Sequence, residues 1–337
     1  MDLATSYLGL PLEHPVVASA GPLTQNVEGV VALAEGGAAA IVLHSLFEEQ
    51  IRRETARDIM LEESVEEFYA ESLSFFPSVD RSDDAPAYRY LNLLERAAGA
   101  VDVPIIASLN GSDMGGWTRY ARRLQDSGAA AIELNIYLVV GDVSTPARDV
   151  EDSHVEIVQS VRDSVDIPVA VKLSPYASSF GELALRVDQA GADGLVLFNR
   201  WIQPDVDIET VTVGTGIELS SPSEGRLSRT WIASLRGRVE ADLAGTSGVE
   251  SADDVVKYLL AGADVVMTTS SLVRHGPAHA RTLVEGLRGW LDRKGFASIA
   301  DARGLLAVPA DVDPHERGRS GYVAALEKAK AQYGSLV

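Results

Sequence analysis

"QAGADGLVLFN", residues 189–199, reads as a helix end, a glycine, then a short branched apolar run that stops at an asparagine. Glycine at a helix terminus supplies the left-handed cap that other residues resist. An apolar run without polar alternation suits a strand buried on both faces. The same shape returns in "EGGAAAIVLHS" (35–45), "DSGAAAIELNI" (126–136) and "LAGADVVMTTS" (260–270). A second set interleaves with it: "EHPVVASAGP" (13–22), "DVPIIASLNGS" (102–112), "DIPVAVKLSP" (166–175) and, more weakly, "VEADLAGTSG" (239–248). Proline opens three of these, as suits the first residue of a strand. Eight strands are therefore predicted, near residues 16, 39, 105, 131, 169, 194, 241 and 264.

Amphipathic stretches such as "GGWTRYARRLQDSGA", "SHVEIVQSVRDSV", "SFGELALRVDQAGA" and "SADDVVKYLLAGA" lie between the strands. Strands alternating with helices predict a (β/α)8 TIM barrel, with an open doubly wound sheet as the alternative. Two long insertions break the rhythm, after strand 2 (about 46–100) and after strand 6 (about 200–230). Both leave the C-terminal ends of strands, where barrel enzymes build their sites. Residues 1–300 are read as the barrel, and 301–337 as a helical extension packed on it.

Composition narrows the function. The chain has 29 basic and 49 acidic residues and a net charge of −20. That disfavours nucleic acid and anionic membranes as partners and points to a soluble cytoplasmic protein. There is no cysteine, which excludes disulfides, a thiolate nucleophile and a cysteine-held iron–sulfur cluster within this chain. The start "MDLATSYLGLPLEHP" shows no signal peptide, and no apolar run reaches the length of a membrane helix. No His/Asp/Glu group has metal-ligand spacing, and the glycine-rich segments lack the dinucleotide and P-loop patterns. The acidic pairs in "FEEQ" and "LEESVEEF" read as solvated helix faces.

In a barrel the eight strand ends converge on one mouth. Here they carry Ser19-Ala20-Gly21, His44-Ser45, Ser108-Leu109-Asn110, Asn135, Lys172-Leu173-Ser174, Asn199-Arg200, Gly245-Thr246-Ser247-Gly248 and Thr268-Thr269-Ser270. Small residues with free N–H groups at the last two ends suit a phosphate. Tight turns are the alternative. Lys172 is the one lysine on a predicted strand, placed either to face an electron-rich group or to pair with Glu133.

These residues carry a resemblance. "YLGLPLEHPVVASAGPL", "IELN", "VAVKLSP", "LFNR" and "GTSGVESADDVVKYLLAGADVVMTTSSLV" together resemble the class 1 dihydroorotate dehydrogenases, and more closely a dihydroorotate dehydrogenase-like branch, over about residues 1–290. The resemblance implies a barrel that holds FMN. Ala20 and Gly21 would lie against the flavin ring, with Ser45 near its polar edge. Asn135, Lys172 and Asn199 would hydrogen-bond ring and substrate. Ser247, Gly248, Thr268 and Thr269 would hold the phosphate. It also implies a homodimer.

The departures bear on the substrate. The family's strand-2 lysine is His44 here. Its Asn-x-Ser/Cys-Cys-Pro-Asn segment keeps Asn135 and then reads "IYLVV", without the cysteine or serine that takes the substrate proton. In the first insertion Ser72 stands where a substrate-binding asparagine is expected. The flavin-holding set is nearly complete while about half of the substrate amides are missing, which disfavours dihydroorotate. Tyr137 and His44 are the candidates left for proton transfer, beside the simpler roles of loop packing and flavin hydrogen bonding. Arg200 could hold a substrate carboxylate or form a surface salt bridge. "SFFP" (74–77) could lie over the ring or merely fold the insertion.

The expected function is FMN-dependent oxidation or reduction of a C–C bond beside a carbonyl, on a small carboxylate or cyclic amide. The alternative is a flavoprotein that relays electrons to a partner protein. A non-flavin barrel enzyme for a phosphorylated metabolite is a third reading.

Overall fold

In the computed structural model the described residues are 1–47, 85–110, 114–136, 143–200, 204–214, 216, 218–309, 311–312 and 314–334. The barrel strands are β1 (Val16–Ala18), β2 (Ile41–Phe47), β3 (Ile105–Asn110), β4 (Ala131–Asn135), β5 (Val169–Leu173), β6 (Gly194–Leu197), β7 (Asp242–Gly245) and β8 (Val265–Thr268). They close into one barrel in sequence order, with β8 beside β1 and every pairing parallel. The TIM-barrel expectation holds, and each strand begins within two residues of its expected place.

Among the described residues a barrel helix follows each strand: α1 (Val27–Glu35), α2 (Ala85–Ala100), α3 (Met114–Asp126), α4 (Ala147–Arg162), α5 (Phe180–Gln189), α6 (Gly225–Leu235), α7 (Ala252–Ala261) and α8 (His279–Lys294). The glycine of each repeat is left-handed, at φ 94° for Gly37, 90° for Gly128, 98° for Gly191 and 118° for Gly262. That conformation ends each helix and turns the chain into the next strand. The expected first insertion is shorter than its range implied, because β2 runs on to Phe47 and α2 is the barrel's own helix.

Strand residues alternate between two cores. One set, including Ile41, Leu43, Ile105, Leu134 and Val171, faces the helices. The other, including Val17, Val42, Ile106, Ala131, Ala170, Val196, Ala244 and Met267, fills the barrel interior. An N-terminal hairpin, Thr5–Tyr7 with Leu10–Leu12, plugs the bottom, and its turn carries positive φ at Leu8 and Gly9. Tyr7, Leu8 and Leu12 join the interior core. A Cβ on Gly194 would lie 2.7 Å from Leu8, so β6 opens on the residue type that admits the plug.

The insertion after β6 forms a hairpin of Asp205–Asp207 and Thr212–Gly214. Beyond α8, the N–H groups of Gly304, Leu306 and Val308 bond the carbonyls of Leu259, Leu260 and Ala233, and Arg238 reaches Val308 and Pro309. The last helix, Pro314–Tyr333, exposes residues 319–332 except the half-buried Ala329.

Three histidines, His154 buried and His14 and His44 half-buried, set a pH response. Burial is the main cause that lowers the pKa values of His14, His44 and His154. Each binds its proton less readily in the folded chain than in the unfolded one, so acid favours unfolding. Thermal stability is expected to fall as the pH drops below about 6.5, the ordinary histidine value. A calorimetric midpoint that is flat between pH 7.5 and 5.5 would contradict this.

Candidate active site

The interior parity of the strands brings the polar tips together. Ala131 and Ala170 face inward low in the barrel, so Glu133 and Lys172, two residues further on, also point inward. Lys172 Nζ lies 3.4 Å from Glu133 Oε1 and 3.5 Å from Ser19 Oγ. The Glu133 side chain is 1% exposed, that of Lys172 11%. The ion pair weighed in the sequence is therefore present. Neither Glu133 oxygen has a hydrogen bond among the described residues, so Lys172 is the main neutraliser of a buried charge.

Above this pair a chain of hydrogen bonds crosses the mouth. Asn199 Nδ2 donates to Asn135 Oδ1 (2.6 Å), Asn135 Nδ2 donates to Ser45 Oγ (3.1 Å), and Ser45 Oγ lies 2.8 Å from Ser108 Oγ. Four strands are thereby linked: β6, β4, β2 and β3. Ser45 enters it because the β2–β3 register shifts between Val42 and Ser45. Such a bulge re-aims a side chain, and here it leaves both His44 and Ser45 half-buried at the mouth.

His44 is fixed from behind. Its Nδ1 lies 3.2 Å from the Thr24 carbonyl, and its ring centroid 5.0 Å from that of Tyr90. A carbonyl only accepts, so Nδ1 carries the proton and the neutral ring keeps a bare lone pair on Nε2. Burial, which lowers its pKa, favours that neutral form despite the opposing Thr24 bond. Tyr90 is anchored by the Ser108 backbone, and burial pushes its own pKa above the usual range.

The other half of the mouth is backbone. Ala20 packs on the interior core. Gly21 is extended, and a Cβ there would sit 2.4 Å from Thr269 Oγ1. Thr269 itself donates to the Ser19 carbonyl at 2.8 Å and begins the short helix Ser270–His275. After β7, Ser247 (φ 78°) and Gly248 (φ 64°) are consecutive left-handed residues. Turns that aim successive backbone N–H groups at one point form anion-binding nests. Gly248 is walled in: a Cβ would lie 2.5 Å from the Ser221 carbonyl and 2.9 Å from the Gly225 nitrogen. Ser220 binds the loops together, accepting from Gly248 N–H (3.3 Å) and donating to Ser270 Oγ (3.0 Å).

Two of the expected site residues are held by contacts of their own. The Thr268 hydroxyl donates to the Val249 carbonyl at 3.0 Å and meets Ser271 Oγ at 2.9 Å. Met267 faces inward, so Thr268 faces out, and its hydroxyl is spent on the barrel wall. Arg200 pairs with Glu224 (2.9 Å) and donates to the Glu218 carbonyl, which is the salt-bridge alternative. Tyr137, Ser72 and "SFFP" lie outside the described residues. Sequence reasoning named Ser108 only as a strand end and missed the positioning residues Thr24, Tyr90 and Ser220. "LSSPSEG" (219–225) was the available signal for Ser220, a serine run ahead of a helix.

The mouth thus combines polar strand tips, two left-handed residues after β7, a short helix after β8 and a buried cation, an arrangement that suits a barrel anchoring a phosphate-bearing cofactor. The chain belongs to the dihydroorotate dehydrogenase family, whose profile matches residues 78–291. It is 28% identical over 314 residues to the catalytic subunit of dihydroorotate dehydrogenase B (NAD(+)) from Thermoplasma acidophilum, covering 90% of this chain and 98% of the relative. The subunit of that name from Halalkalibacterium halodurans is 33% identical over 219 residues, 63% of this chain and 71% of the relative. That from Methanothermobacter thermautotrophicus is 26% identical over 312 residues, 90% and 98%. The chain is thus an FMN-dependent oxidoreductase of the class that acts on CH–CH donors. The walled Gly21 and Gly248 and the nest fit that cofactor. Among the described residues no group of side chains could hold a metal, and no helix is long and apolar enough to cross a membrane.

Proposed function

We propose that this chain, with residues 1–300 as its FMN-binding barrel and 301–337 as an extension, oxidises or reduces a C–C bond beside a carbonyl. The substrate is a small carboxylate or cyclic amide other than dihydroorotate. The observation that carries the reading is the His44 imidazole at the mouth, held neutral and oriented by Thr24, beside the Asn199–Asn135–Ser45 chain. Bound FMN supplies the hydride acceptor or donor.

The rest falls to the chain. Ser247 and Thr269 offer backbone N–H groups to the cofactor phosphate, and Gly248, whose own N–H is tied to Ser220, shapes the turn that presents them. Ala20 and Gly21 give a flat wall for the ring. Lys172 presents a point cation to the ring's electron-rich edge. Asn135 and Asn199 hold each other at 2.6 Å, which fixes which amide atoms stay open to substrate. The Nε2 atom of His44 takes the proton that leaves the carbon neighbouring the hydride donor, or returns it in the reverse direction. Tyr137 is the rival for that proton.

Dihydroorotate oxidation is expected to be weak or absent in an anaerobic flavin-bleaching assay. Robust bleaching by dihydroorotate would overturn the substrate reading. With the accepted reductant, His44→Asn is expected to slow bleaching about 10²- to 10⁴-fold, with Tyr137→Phe nearly neutral. The reverse ranking would transfer the role to Tyr137.

A second reading rests on the relatives' printed names. They are catalytic subunits of an NAD(+)-linked enzyme, so this chain could pass electrons to a partner protein. Flavin that bleaches only with a partner protein and NADH, and with no small acid, would favour it.

A further inference from the structure

Ser247, in the turn after β7, is left-handed at φ 78°. That conformation is costly for a residue with a Cβ, and it persists only where the surroundings over-determine it. The group that holds it comes from α7. Tyr258 is fully buried, and its hydroxyl donates to the Thr246 carbonyl at 2.5 Å and to the Ser247 carbonyl at 2.8 Å. Burial pushes its pKa up to about 12, so the hydroxyl stays protonated near neutral pH and remains a donor.

Both peptides in this turn are trans, and in a trans peptide the N–H points away from the C=O of the same plane. The Thr246 carbonyl shares its plane with the Ser247 N–H. The Ser247 carbonyl shares its plane with the Gly248 N–H. Drawing both carbonyls onto Tyr258 therefore turns both N–H groups to the opposite side. There the Gly248 N–H meets Ser220 Oγ at 3.3 Å, and the Ser247 N–H is left for an anion.

Room for the ring is built in. A Cβ on Gly245 would overlap the ring at Cδ1. One on Gly225 would lie 2.9 Å from the Ser247 carbonyl oxygen and 3.1 Å from the Tyr258 hydroxyl. The Arg229 guanidinium of α6 stands over the ring, 5.3 Å from its centroid. Its Nη1 is buried without a hydrogen bond among the described residues, and the ring face is a contact that suits a cation.

We propose that Tyr258 is a positioning residue for the cofactor phosphate: through the Thr246 and Ser247 carbonyls, its hydroxyl aims the Ser247 N–H at the anion. This rests on the reading that the β7 turn takes the FMN phosphate. It adds that the grip depends on a buried hydroxyl behind the turn.

Riboflavin, which is FMN without its phosphate, separates this role from simple packing. Apoprotein of the full chain is titrated with each ligand, and the ratio of dissociation constants measures the grip on the phosphate. The wild type is expected to prefer FMN by about 10²-fold or more. Tyr258→Phe keeps the ring and removes the hydroxyl. It is expected to weaken FMN roughly tenfold and to leave riboflavin within about threefold of wild type. An unchanged FMN preference, or a fall shared equally by both ligands, overturns the proposal. A wild type that binds both ligands alike removes the phosphate from the β7 turn, and the proposal with it. Should Tyr258→Phe fail to fold by far-UV circular dichroism, Arg229→Met decides. With the ring held less firmly, the FMN preference is expected to fall about threefold, and an unchanged preference overturns the proposal.

Discussion

Lys172→Ala is expected to cost the protein both its flavin and much of its stability. Glu133 would remain at 1% side-chain exposure, with its nearest cation gone and no hydrogen bond among the described residues. Removing one partner of a buried ion pair typically destabilises by about 3–5 kcal/mol. For a chain of this size that lowers the thermal midpoint by several degrees or more. Flavin retention should fall as well, because the same ammonium faces the mouth beside Ser19 Oγ at 3.5 Å. The two roles separate in the pair Lys172→Ala with Glu133→Gln. Neutralising Glu133 should restore most of the thermal midpoint and leave flavin binding and reduction impaired. If the double variant recovers both, Lys172 serves only the ion pair. If neither variant loses stability, Glu133 is better solvated than its burial indicates.

Gly248→Ala is expected to be the most damaging single methyl addition to the cofactor site. At φ 64° alanine is strained in its own right. Its Cβ would meet the Ser221 carbonyl at 2.5 Å and the Gly225 nitrogen at 2.9 Å, both backbone atoms that no rotamer change can move. Relief requires the loop ahead of α6 to shift, which breaks the Gly248 N–H bond to Ser220 and turns the nest. FMN affinity is expected to fall at least 10²-fold, about 2.7 kcal/mol. Titration of apoprotein with FMN reads this directly. Gly21→Ala, which meets the side chain of Thr269, should be milder when combined with Thr269→Ala. Unchanged FMN affinity in Gly248→Ala would remove the phosphate from the β7 end.

Much of this site was legible because barrels map sequence onto space simply. The residue that ends each strand reaches the mouth, so Asn135, Lys172 and Asn199 could be named without coordinates. Ser45 was named with His44 as a strand end, and its place near the flavin rested on resemblance. Only the register shift after Val42 shows how both it and His44 reach the mouth. Thr268 illustrates the limit. It ends β8, yet parity set by Met267 turns its hydroxyl outward onto Val249. Arg200 likewise follows a strand end but is held by Glu224, a residue of the loop before α6.

Local periodicity and glycine placement determined the strands, their order and closure, because each repeat buries its apolar run only against its neighbours. The N-terminal plug, the Thr24 carbonyl behind His44 and the Ser220 tie between loops came only from the tertiary structure. Each joins groups far apart along the chain, and no residue's own pattern records what another segment will bring against it.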